Sequence, residues 1–172
     1  KTPKTKIISD FYFEKMPMLK TFINSSYEGD NILARIIVDK VIEDETLQNE
    51  QTYFEINDNL RITWESSEKN DAHWSAYFLN LQGIIDTCWD SGSLVMAGRG
   101  SGVGFILLYV LGITQINPLR EKTKTYSWRF LNPERVSVLD VDFDISGLKR
   151  NQVLKGFRKK YGEDRIANVV TF

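Results

Sequence analysis

VSVLDVDFDI, residues 136–145, sets Asp140, Asp142 and Asp144 at every second position between apolar residues. The alternation and the β-branched content predict a strand, whose period of two aims the three carboxylates at one face. This segment decides the fold class, because most of the other periodic stretches read as helices. With a strand here the expectation is an α+β domain, mostly helical with a small mixed β-sheet. Neighbouring acids on that face would lie about 6.6 Å apart and repel by about 2.5 kcal/mol at an effective dielectric near 20. Two accounts explain why such repulsion is kept. The acids guard a solvated sheet edge against aggregation, or they hold hard divalent cations, which favour carboxylate oxygens. The strand alone leaves both open.

Working outward, "KRNQVLKGFRKKYG" (149–162) predicts an amphipathic helix burying Val153, Leu154, Phe157 and Tyr161, and "RIANVVTF" (165–172) a final strand. Upstream, Trp74, Phe78, Leu81, Ile85 and Cys88 recur at spacings of 4, 3, 4 and 3, the stripe of a helix from Ala72 to Trp89 closed by Gly92. Leu33, Ile36, Ile37 and Val41 predict another helix capped by Asp30 or Asn31, and Ile56, Leu60 and Trp64 a further one over residues 47–66. "FILLYVLG" (105–112) is apolar on all sides and predicts a buried helix, whereas 114–134 reads as loop. Residues 1–29, with Pro3 and Pro17 and no sustained period, read as an extended lead-in to a domain over 30–172.

A chain of 172 residues with 42% hydrophobic content is the size of one domain with a real core. It opens on Lys1 and stops within an apolar run, and so reads as a piece of something longer. One cysteine, Cys88, and one histidine, His73, exclude a disulfide framework or a Cys/His zinc site built from this chain alone. The longest apolar run, 103–113, has 11 residues against the about 20 that span a bilayer, so no membrane segment is expected. The net charge of −1 hides an asymmetry: 12 acidic against 4 basic residues over 28–71, and 12 basic against 7 acidic over 115–172. An anionic partner belongs with the C-terminal third.

"GRGSGVG" (98–104) is glycine-dense but matches neither the dinucleotide fingerprint, which would need glycine where Val103 stands, nor a P-loop, which needs a following lysine. What remains is a turn whose backbone can approach a ligand, with Ser101 adding a hydroxyl and Arg99 a charge, ahead of a helix whose N-terminus suits an anion. A tight turn that merely caps a buried helix accounts for it equally well.

A Gly-Ser turn followed some forty residues later by a D-x-D pair resembles polymerase beta-like nucleotidyltransferases. The ordered stretches "GRGSGVGFILLYVLGITQINPL", "RFLNPERVSVLDVDFDI" and "KRNQVLKGFRKKYGEDRIANVVTF" narrow the resemblance to the palm of the alpha subunit of bacterial DNA polymerase III, the C-family replicative polymerases. The match runs from about Trp74 to Phe172, and "KTKTYSWRF" looks like a phage-type or divergent member.

The resemblance implies a partial nucleotidyltransferase palm that ends before the third catalytic carboxylate. It places the metal ligands, for two Mg²⁺ ions in the complete enzyme, on Asp140 and Asp142. Asp144 is expected to be a bystander near the rim. Gly100 and Ser101 would hold the phosphates of the incoming deoxynucleoside triphosphate, as would Arg129 and Arg135, whose planar forks suit phosphate oxygens. Leu139 and Ala97 stand where the family has proline, and Ile145 where it often has phenylalanine; these departures touch packing rather than ligands. The implied activity is addition of deoxynucleotides to a primer 3′ end. Implied partners are primer-template DNA, the rest of the polymerase chain and other replisome subunits, in the cytoplasm of a bacterium or of a phage's host. This piece alone is expected to be inactive. The rival reading is a non-catalytic DNA- or protein-binding module derived from such a palm. Trp64, Trp74, Trp89 and Trp128 are expected to pack in the core, and His73 to lie at a helix cap or on the surface.

Overall fold

The computed structural model describes residues 2–120, 125–134, 139 and 141–167. Seven α-helices carry the described chain: α1 (Asp10–Lys15), α2 (Met18–Ile23), α3 (Glu28–Glu43), α4 (Glu50–Asn70), α5 (Trp74–Asp90), α6 (Ile106–Val110) and α7 (Arg150–Tyr161). Short 3₁₀ turns join several of them. Among the described residues there is no strand, only one isolated antiparallel bridge between Val95 and Ile145. The expected α+β class with a small mixed sheet is therefore corrected to a helical fold. The physical reason lies at the bridge: a sheet needs a ladder of successive pairings, and the chain beside Ile145 makes one pairing before turning away.

The centre of the core is α3. Leu33, Ala34, Ile37, Val38 and Val41 are wholly buried, with α2 and α5 packed against the helix. Apolar residues at i, i+4 and i+8 put this stripe inward, as the spacing predicts. The N-cap falls three or four residues earlier than expected, at Tyr27, which makes no side-chain cap bond. Asp30 instead turns into the structure and accepts hydrogen bonds from the hydroxyls of Ser25 and Ser75, tying α3 to α5. In α4, Ile56 and Leu60 are buried, and Asn49 caps the helix by accepting from the Thr52 N–H at 3.0 Å.

The lead-in is extended only at its start. Residues 2–9 are held on α3 by Asp39, whose carboxylate accepts from the backbone N–H groups of Lys4 at 2.7 Å and Thr5 at 2.8 Å. Residues 10–23 then form α1 and α2, contrary to the extended reading of 1–29. Pro17 fits because it stands at the N-cap of α2, where the missing N–H costs no helical bond. Met16, Leu19 and Phe22 bury completely or nearly so and supply the drive that short helices lack alone.

The helix read from Ala72 to Trp89 is α5, with Gly92 following it at φ +73°. Helix α6 is shorter than "FILLYVLG" suggested, but its surroundings are as expected: Phe105, Ile106, Leu107, Leu108, Val110 and Leu111 are all buried. The amphipathic C-terminal helix is α7, ended by Gly162. It lies on α5 and buries Val153 fully, whereas Leu154, Phe157 and Tyr161 are half-buried. Of the expected final strand, residues 165–167 are not strand and 168–172 lie outside the described residues.

Candidate functional site

The glycine-dense turn folds as a 3₁₀ helix, Gly100–Gly104, with Gly100 at φ +70°. A second 3₁₀ helix, Ser127–Arg129, packs against it. Two glycines make that contact possible. A Cβ on Gly102 would stand 3.0 Å from Leu108 Cδ1 and 3.5 Å from Phe130 Cε2, and one on Gly104 would stand 3.1 Å from Thr125 Cβ. With only hydrogen at these positions the backbone of 125–130 comes in close. Phe130 then anchors it, its ring tilted against Phe105 at 5.2 Å, which in turn meets Phe78 of α5 at 5.8 Å. Gly100, Ser101 and Arg129, three of the sequence-predicted phosphate ligands, thus sit on two packed turns and are exposed to solvent. Arg135 lies outside the described residues.

The acidic segment is fastened to the chain that leads into this turn. The Met96 N–H donates to the Asp144 carbonyl at 2.9 Å, and the Ser146 N–H donates to the Leu94 carbonyl at 3.3 Å and to Ser93 Oγ at 3.1 Å. Arg99, at the start of the glycine turn, pairs with the Asp144 carboxylate at 3.5 Å. On the N-terminal side the Tyr77 hydroxyl of α5 donates to the Leu139 carbonyl at 2.9 Å, and Leu139 is buried.

Burial along the segment alternates: Val141, Phe143 and Ile145 are half-buried, while Asp142 and Asp144 are exposed. Phe143 faces Leu154 and Phe157 of α7 in a groove shared with Asn80 and Ile84 of α5. Hence Asp142 is presented outward, as the alternation implied. Asp140 lies outside the described residues. Asp144 joins the acidic segment to the chain leading into the glycine turn, its carboxylate pairing with Arg99 and its carbonyl accepting from the Met96 N–H.

The donor chemistry of Asp142 fits a hard cation such as Mg²⁺, since it offers carboxylate oxygen at an exposed position. Among the described residues no three Asp, Glu, His or Cys side chains converge into a complete metal cage.

One contributor escaped the sequence reading. Tyr77 falls off the apolar stripe of α5; an aromatic with a polar tip beside a buried phenylalanine is the available signal for a tether of this kind. Trp128 is 59% exposed, not core, and Trp89 is also exposed, whereas Trp64 and Trp74 pack against the core as expected. His73 sits at the N-cap position of α5, stacked on Tyr27 at 3.9 Å.

Residues 32–172 match the family model described as the bacterial DNA polymerase III alpha NTPase domain. The chain belongs to the bacterial DNA polymerase III alpha family. The match begins upstream of Trp74, so most of α3 and all of α4 fall within it along with the glycine and acidic segments. A protein of Bacillus phage SPbeta named DNA-directed DNA polymerase is 31% identical over 93% of this chain and 13% of its own length. DNA polymerase III subunit alpha of Rickettsia prowazekii is 30% identical over 93% of the chain and 13% of its own length. That of Thermus aquaticus is 41% identical over 65% of the chain and 9% of its own length. The chain thus spans about an eighth of the length of the relatives it matches most broadly.

Proposed function

We propose that this chain supplies part of the nucleotide-addition centre of a DNA polymerase. The observation that carries the reading is the joining of three motifs: the glycine turn, the Arg129 turn packed upon it, and the acidic segment bonded to its entrance. The backbone N–H groups of Gly100 and Ser101 and the Ser101 hydroxyl donate to phosphate oxygens of a deoxynucleoside triphosphate. Arg129 and Arg135 add charge-assisted hydrogen bonds to the same oxygens. Asp140 and Asp142 would hold Mg²⁺, which when bound would neutralise phosphate charge and lower the pKa of an attacking hydroxyl. The task of the chain is to position the reactants and set the local charge, which is what phosphoryl transfer chiefly requires.

The substrates implied are a primer-template and deoxynucleoside triphosphates. The setting is a larger polypeptide among other replication subunits in the cytoplasm. Among the described residues no helix is long and apolar enough to cross a membrane.

Primer extension by the polypeptide encoded by the whole reading frame tests the reading. Arg129→Ala is expected to raise the nucleotide KM by about tenfold or more, matching the 1.5–3 kcal/mol of a hydrogen bond to a charged group. An unchanged KM contradicts the assignment of Arg129. The 172-residue chain by itself is expected not to extend a primer, and extension by it would contradict the division of the site between this chain and parts beyond its reach.

A further inference from the structure

Two large aromatic side chains stand in solvent on the turn that carries Arg129. Tyr126 is 47% and Trp128 59% exposed, and their rings lie 6.0 Å apart at an interplanar angle of 41°. Phe130, two residues further on, is 1% exposed and locked against Phe105. The core therefore takes one aromatic from this turn and leaves two outside. The turn itself is held firmly. Gly104 lets Thr125 approach closely, and Asn132 Nδ2 donates to the Trp128 carbonyl at 3.0 Å. The surrounding stretch 115–134 carries Arg120, Lys122, Lys124 and Arg129 against Glu121 and Glu134. Exposed aromatics beside a cation, Arg129, on a firmly held turn within a basic stretch of sequence are the chemistry that binds a single nucleic-acid strand. Each base presents a π-face to a ring, and the basic residues follow the phosphates.

We propose that Tyr126 and Trp128 form a stacking platform for unpaired bases of single-stranded DNA beside the phosphate-binding turn. The inference rests on the reading of this chain as part of a DNA polymerase and adds to it a contact that the phosphate and metal ligands do not make. Two neighbouring rings offer one face to each of two successive bases, which fits a strand better than the single base of a free nucleotide. The local excess of positive charge favours a polyanion over a second copy of a chain whose net charge is −1.

Fluorescence anisotropy of a dye-labelled oligothymidylate, measured in EDTA at fixed salt on the polypeptide from the whole reading frame, tests the platform. Trp128→Ala is expected to weaken binding about 5- to 100-fold, the range that loss of one base-aromatic stack gives. Tyr126→Ala should weaken it less, and Trp128→Phe should keep most of the affinity. Binding of dATP, measured separately, should be the same in all three. Unchanged oligothymidylate affinity in Trp128→Ala overturns the proposal, as does an equal loss of dATP affinity, which would make the platform a nucleotide site. So does a change confined to self-association in sedimentation, which would make it a protein contact. Asp142→Asn should retain full oligothymidylate affinity in EDTA while losing primer extension, so failure of the platform and failure of the nucleotide-addition reading register in different measurements.

Discussion

At the residue scale, the acidic segment depends on small polar ties whose strength can be ranked. The Tyr77 hydroxyl bond to the Leu139 carbonyl lies where Leu139 is only 4% exposed. Tyr77→Phe leaves that carbonyl without its donor, and urea unfolding should show a loss of about 1–2 kcal/mol. The Arg99–Asp144 pair is different, since both side chains are more than half exposed. Arg99→Ala should cost under about 1 kcal/mol, because solvent screens such pairs and their side-chain entropy offsets the attraction. Cys88 is buried on α5, and desolvation pushes its thiol above the ordinary value. The folded state thus favours the neutral thiol, and a disulfide reagent at neutral pH should label Cys88 only after unfolding. Rapid labelling of the native chain would contradict its burial. None of these ties was legible from spacing, because each joins residues more than forty positions apart or depends on which face of a helix a polar tip meets.

At the element scale, the packing of the two 3₁₀ turns rests on glycine. Gly104→Ala would set a methyl 3.1 Å from Thr125 Cβ, and Gly102→Ala one 3.0 Å from Leu108 Cδ1. Each should destabilise by about 1–3 kcal/mol through overpacking. Gly147→Ala, with nothing within 4 Å, should stay within about 0.5 kcal/mol of the parent in the same urea titration. Equal effects at Gly104 and Gly147 would show that close approach is not what these glycines provide. The helices with unbroken stripes, α3 and α5, were legible because their 3.6-residue period and their burial are local properties of the sequence. The acidic segment shows the limit of such reading. Its alternation correctly sorted Val141 and Phe143 inward and Asp142 and Asp144 outward, yet alternation reports burial, not pairing. The pairing depended on where the chain near Val95 runs, and that is set by non-local packing. In the lead-in, Pro17 suggested extension because its place at the first turn of a helix was not visible without the apolar contacts of Leu19 and Phe22.

At the scale of the whole molecule, the N-terminal strap and α3 share a pH-dependent contact. The hydrogen bond from Lys4, followed by that from Lys40, holds the Glu43 carboxyl below its ordinary value. Because the folded value is the lower one, this contribution is present above the unfolded value, about 4.3 for glutamate, and is lost as pH falls through the folded one. Glu43→Gln should therefore lower the unfolding midpoint at pH 7 and converge with the parent at strongly acid pH. A midpoint difference that persists unchanged there would show that charge is not the cause.

The candidate site has a similar split between local and distributed features. Residue type and spacing draw attention to Gly100, Ser101 and Asp142, whereas the bonds that join the acidic segment to residues 93–99 depend on how the helices assemble. On the proposed reading Asp142 is a ligand of the reacting centre, whereas Asp144 pairs with Arg99 at the start of the glycine turn. Single-nucleotide incorporation by Asp142→Asn and Asp144→Asn, compared side by side in the polypeptide from the whole reading frame, tests it most directly. Asp142→Asn should lose about 10³-fold or more, as several kcal/mol of charge stabilisation disappear, and Asp144→Asn should stay within about tenfold of the parent. Equal losses in the two variants, or full activity in Asp142→Asn, would contradict it.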